Sequence, residues 1–247
     1  MQKIKNSICA VVPVYNAQKT LPDLAEGLTA VLGQFEEYGI ILVDDCSTDQ
    51  SFEVIRDLAC RNKNITGISL ARNCGQQCAL FCGLHYARCD YTVIIDDDLE
   101  NDPKDIMALY KEIIKGYDAV YAVNRAGYEK GLFRSIGSKL RDGLFDRITH
   151  KPKDLKVCSF RILNKMTVQK ILEANTRFVY ISLEILRHTK NIQNIAAAYN
   201  SSNHSKYKPA KLIRLLLNMY IYYAPHTVLK KLRRQGCCYA VKEILEG

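Results

Sequence analysis

Four apolar runs fix the kind of fold open to this chain. They are "ICAVVPV" (8–14), "GIILVDD" (39–45), "ITGISLARN" (65–73) and "YTVIID" (91–96). Most of their apolar residues are consecutive rather than alternate, the third run being broken by Thr66 and Ser69, and polar residues gather at each carboxyl end. A strand without alternation is buried on both faces, as in a parallel sheet covered by helices. Amphipathic segments separate the runs: "TLPDLAEGLTAVLGQF" (20–35), "QSFEVIRDLACRN" (50–62) and "QQCALFCGLHYAR" (76–88). A fourth helix is expected after Asp102-Pro103, where an Asp cap and a Pro at the first helical position suit the orphan amides. "DAVYAVNR" (118–125) reads as a fifth strand. The alternation predicts an α/β fold, a mostly parallel sheet flanked by helices, and ligands bind outside the carboxyl ends of such strands.

The informative residues collect at those ends. Pro13, Tyr15 and Asn16 follow the first strand, Asp44 and Asp45 the second, Arg72 the third, and Asp96, Asp97 and Asp98 the fourth. Three adjacent carboxylates repel one another and are costly near a core unless something compensates them. In extended chain Asp96 and Asp98 fall on one side. Two hard oxygen donors so placed suit Mg²⁺ or Mn²⁺, which keep several waters and bridge to phosphate oxygens. Asp44 and Asp45 read either as turn residues before the "CSTD" loop or as acceptors for a base or ribose.

Charge is divided unevenly. Residues 1–124 carry 11 basic and 18 acidic side chains, and residues 125–247 carry 24 and 8, so the net +9 hides an acidic half and a basic half. The first suits a cation and the second suits anions such as phosphates, nucleic acid or a membrane surface. No uncharged apolar stretch reaches the length of a bilayer span. The basic start leads straight into a strand, with no signal-peptide pattern, and the ten cysteines show no disulfide-framework spacing. Reduced thiols and a cytoplasmic compartment are therefore expected. Cys74, Cys78 and Cys82 recur every four residues and read as helix packing, not as a zinc site.

"VVPVYNAQKTL", "IILVDDCSTD", "ISLARNCGQQCAL" and "VIIDDDLENDP" stand in the order and spacing of family-2 glycosyltransferases of the GT-A fold. The resemblance is strongest to the polyprenyl-phosphate branch, which includes dolichol-phosphate mannose synthase. It extends through "SFRILNK", "RHTKNIQNI" and "HSKYKPAKLIRLLLNMYIYY". It implies a Rossmann-like nucleotide-binding half, an acceptor-binding half, and an inverting, metal-dependent transfer from a nucleotide sugar. Pro13, Tyr15, Asn16, Asp44 and Asp45 would bind the donor, joined by Arg72 and Asp97 at the neighbouring strand ends. Asp96 and Asp98 would hold the metal, with Asp98 the more direct ligand. Glu100 stands where the branch commonly has Gln, and Arg161 matches an arginine near diphosphate or acceptor. Arg134, Ser138 and Lys139 lie where the branch handles the acceptor phosphate.

The resemblance also implies a UDP, GDP or dTDP sugar donor and a lipid-phosphate acceptor. A hydroxyl acceptor and a catalytically inactive nucleotide-binding subunit stay open. A nucleotidylyltransferase would want a glycine-rich loop after the first strand, which "VPVYNAQKT" lacks. No nucleic-acid motif accompanies the basic half. The expected division is a catalytic domain over 1–208 and a basic amphipathic helical segment over 209–247. That segment leaves open a peripheral contact with the inner face of a membrane, or a homo-oligomer through the C-terminal helices.

Overall fold

The computed structural model describes residues 3–124, 154–174, 176–197, 209–223, 236 and 238–247. Strands β1 (Ile8–Val14), β2 (Tyr38–Asp44), β3 (Ile65–Leu70) and β4 (Tyr91–Ile94) alternate with helices α1 (Leu21–Leu32), α2 (Ser51–Arg61) and α3 (Gln76–Tyr86). After a 3₁₀ turn, where Asp102 accepts from the Lys104 amide at 2.9 Å as its capping pattern predicts, come α4 (Ile106–Ile113) and β5 (Ala119–Asn124). Then follow β6 (Arg161–Asn164), α5 (Lys165–Leu172), α6 (Ile181–His188), β7 (Ile192–Ala197), α7 (Pro209–Tyr223) and β8 (Val241–Glu246). Together the described strands make one eight-stranded sheet in the order β7-β5-β6-β4-β1-β2-β3-β8.

The continuous apolar runs serve two cores at once. All of β1 is buried, and its side chains alternate between faces. Ile8, Ala10, Val12 and Val14 pack with Leu24 and Leu28 of α1, Ile55 of α2 and Leu109 of α4. Cys9 and Val11 face the other way, onto Leu80 and Leu84 of α3, Ile171 of α5 and Ile185 of α6. Cys82 is wholly buried in this second core and Cys78 packs against it, as the packing reading expects.

Strand direction decides where the site lies. β1 pairs in parallel with β2 on one side and β4 on the other, while β2 pairs with β3. The chain therefore reverses its direction of travel across the sheet between β1 and β4, the topological switch point at which open α/β sheets bind ligands. β6 runs antiparallel between β4 and β5, setting Arg161 opposite Ile94 and Tyr121. An antiparallel strand delivers its first residue to the edge where its neighbours end, so Arg161 arrives beside the acidic turn after β4.

Two expectations are corrected. Cys9 and Cys89 form a disulfide with Cα atoms 5.8 Å apart, so the thiols are not all reduced. The parallel register sets Cys9 beside Thr92, and Cys89 lies in the turn entering β4. That proximity is created by strand pairing across 80 residues and leaves no spacing signal. The segment after residue 209, expected to be helical, is helix over Pro209–Tyr223 but strand over Val241–Glu246. β8 pairs antiparallel with β3, and Glu243 meets Arg56 of α2 at 3.1 Å. Met219 and Tyr223 of α7 pack with Leu155, Leu183 and Leu186, and the Tyr223 hydroxyl accepts from the Tyr180 amide at 2.9 Å. No helix among the described residues is long and apolar enough to cross a membrane.

Gly83 sets how closely α3 lies on the sheet. A Cβ there would stand 2.5 Å from a Val11 methyl and 3.0 Å from one of Val43. Both valines are short, stiff strand side chains. Gly83→Ala should destabilise the fold by about 1–3 kcal/mol through overpacking, despite a gain of about 1 kcal/mol in helix propensity. Urea unfolding of the two proteins measures the difference.

Candidate functional site

β1 and β4 stop pairing at Val11 and Ile94, but β1 continues beside β2 to Val14. Val14 accepts from the Asp45 amide on the β2 side, and Val11 accepts from the Ile95 amide on the β4 side. Pro13, two residues after Val11, therefore turns its ring nitrogen toward the place β4 has vacated. A proline in a central strand normally forfeits a ladder hydrogen bond, and here no partner is lost. It is buried at the base of the crevice between β1 and β4.

The loops above that crevice turn sharply. Asn16, Cys46 and Leu99 have φ of 56°, 57° and 59°, after β1, β2 and β4 respectively. Asn tolerates this region, whereas a leucine there is an outlier that its surroundings must hold in place. Asp98 helps by accepting from the Glu100 amide at 3.0 Å, an Asx turn that folds the chain back after the acidic triplet.

The three aspartates divide their work. The Asp97 carboxylate accepts from the Tyr15 amide at 2.9 Å, and its carbonyl accepts from the Thr20 hydroxyl at 2.6 Å. It thus ties the loop after β4 to the loop after β1. Burial, opposed by the Tyr15 amide and reinforced by Asp96 and Asp98, pushes its pKa up to about 6. Asp96 accepts from the Gln76 amide nitrogen at 2.6 Å. Burial also raises its pKa, against hydrogen bonds from Ser159 and Gln76 and the nearby charge of Arg161. Asp98 is exposed to the cleft.

Asp45 is buried and clamps the turn into α3. Its two oxygens accept from the Cys74 and Gly75 amides at 2.7 and 2.8 Å, where Gly75 has φ of 92°. Burial nevertheless raises its pKa. Asp44 accepts from the Ser47 amide at 3.2 Å and lies 3.5 Å from the Ser69 hydroxyl. Asn16 accepts from the Thr48 amide at 2.8 Å while its own amide donates to Ser47 Oγ at 3.0 Å. Tyr15 and Arg72 are exposed at the rim.

Arg161 is buried, with 2 % of its surface exposed. Its Nη1 donates to the Cys158 carbonyl at 3.1 Å and the Ser182 hydroxyl at 2.7 Å, and its guanidinium lies 5.7 Å from the Tyr121 ring centroid. Its Nε has no hydrogen-bond partner. The structure thus gathers Tyr15, Asn16, Asp44, Asp45 and Asp96–Glu100 on one edge, with Arg161 behind Asp96. Arg134, Ser138 and Lys139 lie outside the described residues. Gln76 and Ser159 are additions that sequence reasoning missed, although "GQQ" and "SFR" flank elements that end at this edge.

The donor chemistry suits a divalent cation. Asp96 and Asp98 supply hard carboxylate oxygens, and among the described residues no closed cage of three or more candidate ligands forms. A pair of carboxylates that leaves positions for water and phosphate oxygens is the usual way such ions are held.

The sequence profile of glycosyl transferase family 2 matches residues 9–173. The chain belongs to glycosyl transferase family 2. The match runs from β1 through α5 and so takes in every residue of the acidic edge. The undecaprenyl-phosphate 4-deoxy-4-formamido-L-arabinose transferase of Photorhabdus laumondii is 34% identical over 218 residues, 86% of this chain and 66% of that protein. Its counterpart in Pseudomonas fluorescens is 33% identical over 217 residues, 86% of this chain and 63% of that protein. The chain thus spans somewhat under two thirds of the length of these relatives. Among solved structures, a glucosyl-3-phosphoglycerate synthase from Mycobacterium tuberculosis in complex with Mn²⁺, UDP-glucose and phosphoglyceric acid superposes with a TM-score of 0.65. It is 15% identical, and the match covers 94% of this chain and 86% of that one. A mannosyltransferase from Pyrobaculum calidifontis in complex with GDP-mannose and Mn²⁺ gives 0.60 at 14% identity, over 89% of this chain and 63% of that one. At such identities the likeness is one of fold, and the fold is GT-A.

Asp45→Ala would leave the Cys74 and Gly75 amides unpaired in a half-buried turn. The variant should lose about 1–3 kcal/mol of stability. Hydrogen exchange of those two amides should quicken more than that of β1, which separates a local loosening from a global one.

Proposed function

We propose that this chain transfers a glycosyl group from a nucleoside-diphosphate sugar to a polyprenyl phosphate, with inversion at the anomeric carbon. The observation that carries the reading is the strand-end edge where Asp97 ties the loop after β4 to the loop after β1, while Asp96 and the exposed Asp98 stand on either side of it. The names of the relatives support the acceptor class.

The residues divide the task as follows. Tyr15 and Asn16 form the rim against which a nucleoside would lie, over a floor made by Pro13. Asp44 and Asp45 brace the loops that shape it. Asp96 and Asp98 would hold Mg²⁺ or Mn²⁺, which when bound neutralises charge developing on the leaving diphosphate. A phosphate oxygen of the acceptor forms the new bond to the anomeric carbon as the bond to the nucleoside diphosphate breaks. That oxygen arrives already anionic, so no proton has to be removed. A hydroxyl acceptor would need a general base within hydrogen-bond reach. The two acids that follow β6 closely are poor candidates. Glu184 is buried against Arg187 at 3.3 Å and His188 at 3.7 Å, and Glu173 is an exposed residue at the end of α5.

A polyprenyl chain resides in a membrane, so this reading puts the protein against a membrane's cytoplasmic face. Residues 199–247 carry 9 basic and 2 acidic side chains in sequence, and Leu217 and Tyr220 of α7 are exposed. A segment of basic composition that includes a helix with exposed apolar residues suits an anionic lipid surface.

The test is a thermal-shift panel of UDP, GDP, CDP and dTDP with and without Mn²⁺, followed by transfer assays on undecaprenyl phosphate and on hydroxyl acceptors. One nucleotide should stabilise the protein only with Mn²⁺, by about 2.7 kcal/mol at a hundredfold excess over its dissociation constant. Asp98→Asn should abolish that metal-dependent part and lower transfer by roughly 10²-fold or more. A folded protein that responds to no nucleotide would overturn the reading. Transfer to a hydroxyl acceptor alone would keep the enzyme and replace the acceptor.

A further inference from the structure

Gln76 and Gln77 open helix α3, and each reaches a different part of the molecule. Gln77 Oε1 accepts from the Ile181 amide at 2.9 Å, capping the first turn of α6. Gln76 Nε2 donates to Asp96 Oδ1 at 2.6 Å. The residues just before them, Cys74 and Gly75, are the pair clamped by the two oxygens of Asp45. A short turn therefore carries the hold of β2's carboxylate directly to the first carboxylate of the acidic triplet.

A carboxylate on a single strand end has two free torsions and can present either oxygen. A hydrogen bond to one oxygen removes that freedom, and a short bond to an ionised acceptor is among the stronger kinds. Outer partners of this sort orient metal ligands and tune their affinity. Arg161 acts on Asp96 through its charge, while its Nη1 donates to Cys158 and Ser182. Gln76 approaches from the cleft side, where it is exposed and where the cation would enter.

We propose that Gln76 is a positioning residue for the divalent-cation site: its amide, beside Ser159, which also bonds Asp96, holds that carboxylate in one orientation toward the metal. This rests on the reading of Asp96 and Asp98 as the metal-holding pair. It also makes Asp45 an indirect partner of that site, acting through the Cys74–Gly75 turn.

The experiment follows the loss of the free Mn²⁺ electron paramagnetic resonance signal on titration into the full chain, in the presence of UDP, or of GDP or dTDP if the thermal panel selects one of those. Wild type is compared with Gln76→Ala and with Gln76→Glu, which keeps the shape but replaces the donor by an acceptor. Gln76→Ala should weaken Mn²⁺ binding roughly tenfold or more with little change in melting temperature. Gln76→Glu should depart from wild type at least as far, an order that a purely space-filling role would reverse. Wild-type Mn²⁺ affinity in both variants would overturn the proposal. Should Gln76→Ala fail to fold, Gln76→Met fills the same space without a donor and gives the same comparison; if neither folds, Gln76 serves the fold and the proposal falls. Failure of wild type itself to bind Mn²⁺ with any nucleotide would instead sink the metal site, and this inference with it.

Discussion

The site depends on one hydrogen bond, from the Tyr15 amide to the Asp97 carboxylate. β1 and β4 part company at Val11 and Ile94, and nothing in the sheet itself holds their loops together beyond that point. Asp97 closes the gap from one side with its carboxylate and from the other with its carbonyl, which the Thr20 hydroxyl meets. Asp97 is turned onto the loop after β1, while Asp98, in the turn that follows, is exposed. The electrostatic cost of the triplet falls on Asp97, which is held up near 6 by burial and by both neighbours. A cation bound by Asp96 and Asp98 would relieve that repulsion as well as its own.

The same economy runs along the whole edge. Buried carboxylates are tolerable when backbone amides satisfy them, and turns with left-handed residues expose amides in pairs. Asp45 takes two such amides from the Cys74–Gly75 turn, and Asp44 takes one from Ser47. Part of the acidic surplus of the first half is thus taken up inside these loops. Only Asp98 and, in part, Asp96 remain for an outside partner. An acidic patch that simply attracted cations would spread its carboxylates over the surface, whereas here most of them fix the frame and leave one opening.

The parallel half was legible because each strand there is buried on both faces, so the apolar runs mark its strands one by one. The helices between them, the Asp102 cap and the convergence of four strand ends followed from the same pattern. β6, β7 and β8 were not legible. "RILN" is too short to show a period, "IQNIAA" is mostly half-buried, and "VKEILE" alternates weakly at an edge. Their places are set by pairing with distant strands, which a local pattern does not carry. Within the site, Asp96 and Asp98 stood out by residue type. Asp45 was read toward a ligand, but both its oxygens face a loop that only the folded turn brings near. Gln76 carries no signal as a lone amide at a helix start; its meaning comes from the register that sets α3 above the end of β4.

Arg161 shows how the two halves are made one site. A buried guanidinium is expensive, and this one is met only in part, by a carbonyl, a hydroxyl and the face of Tyr121. What completes the balance is the negative edge in front of it, since the Arg161 charge favours the ionised form of Asp96. The acidic first half and the more basic second half are therefore coupled through β6, whose antiparallel direction is the only way its first residue can reach the ends of β4 and β5 at once. A parallel β6 would leave Arg161 at the opposite edge, an uncompensated charge in the core, and would leave the aspartates without the positive neighbour that their burial requires. The single reversed strand in the middle of the sheet is thus a requirement of the site's electrostatics.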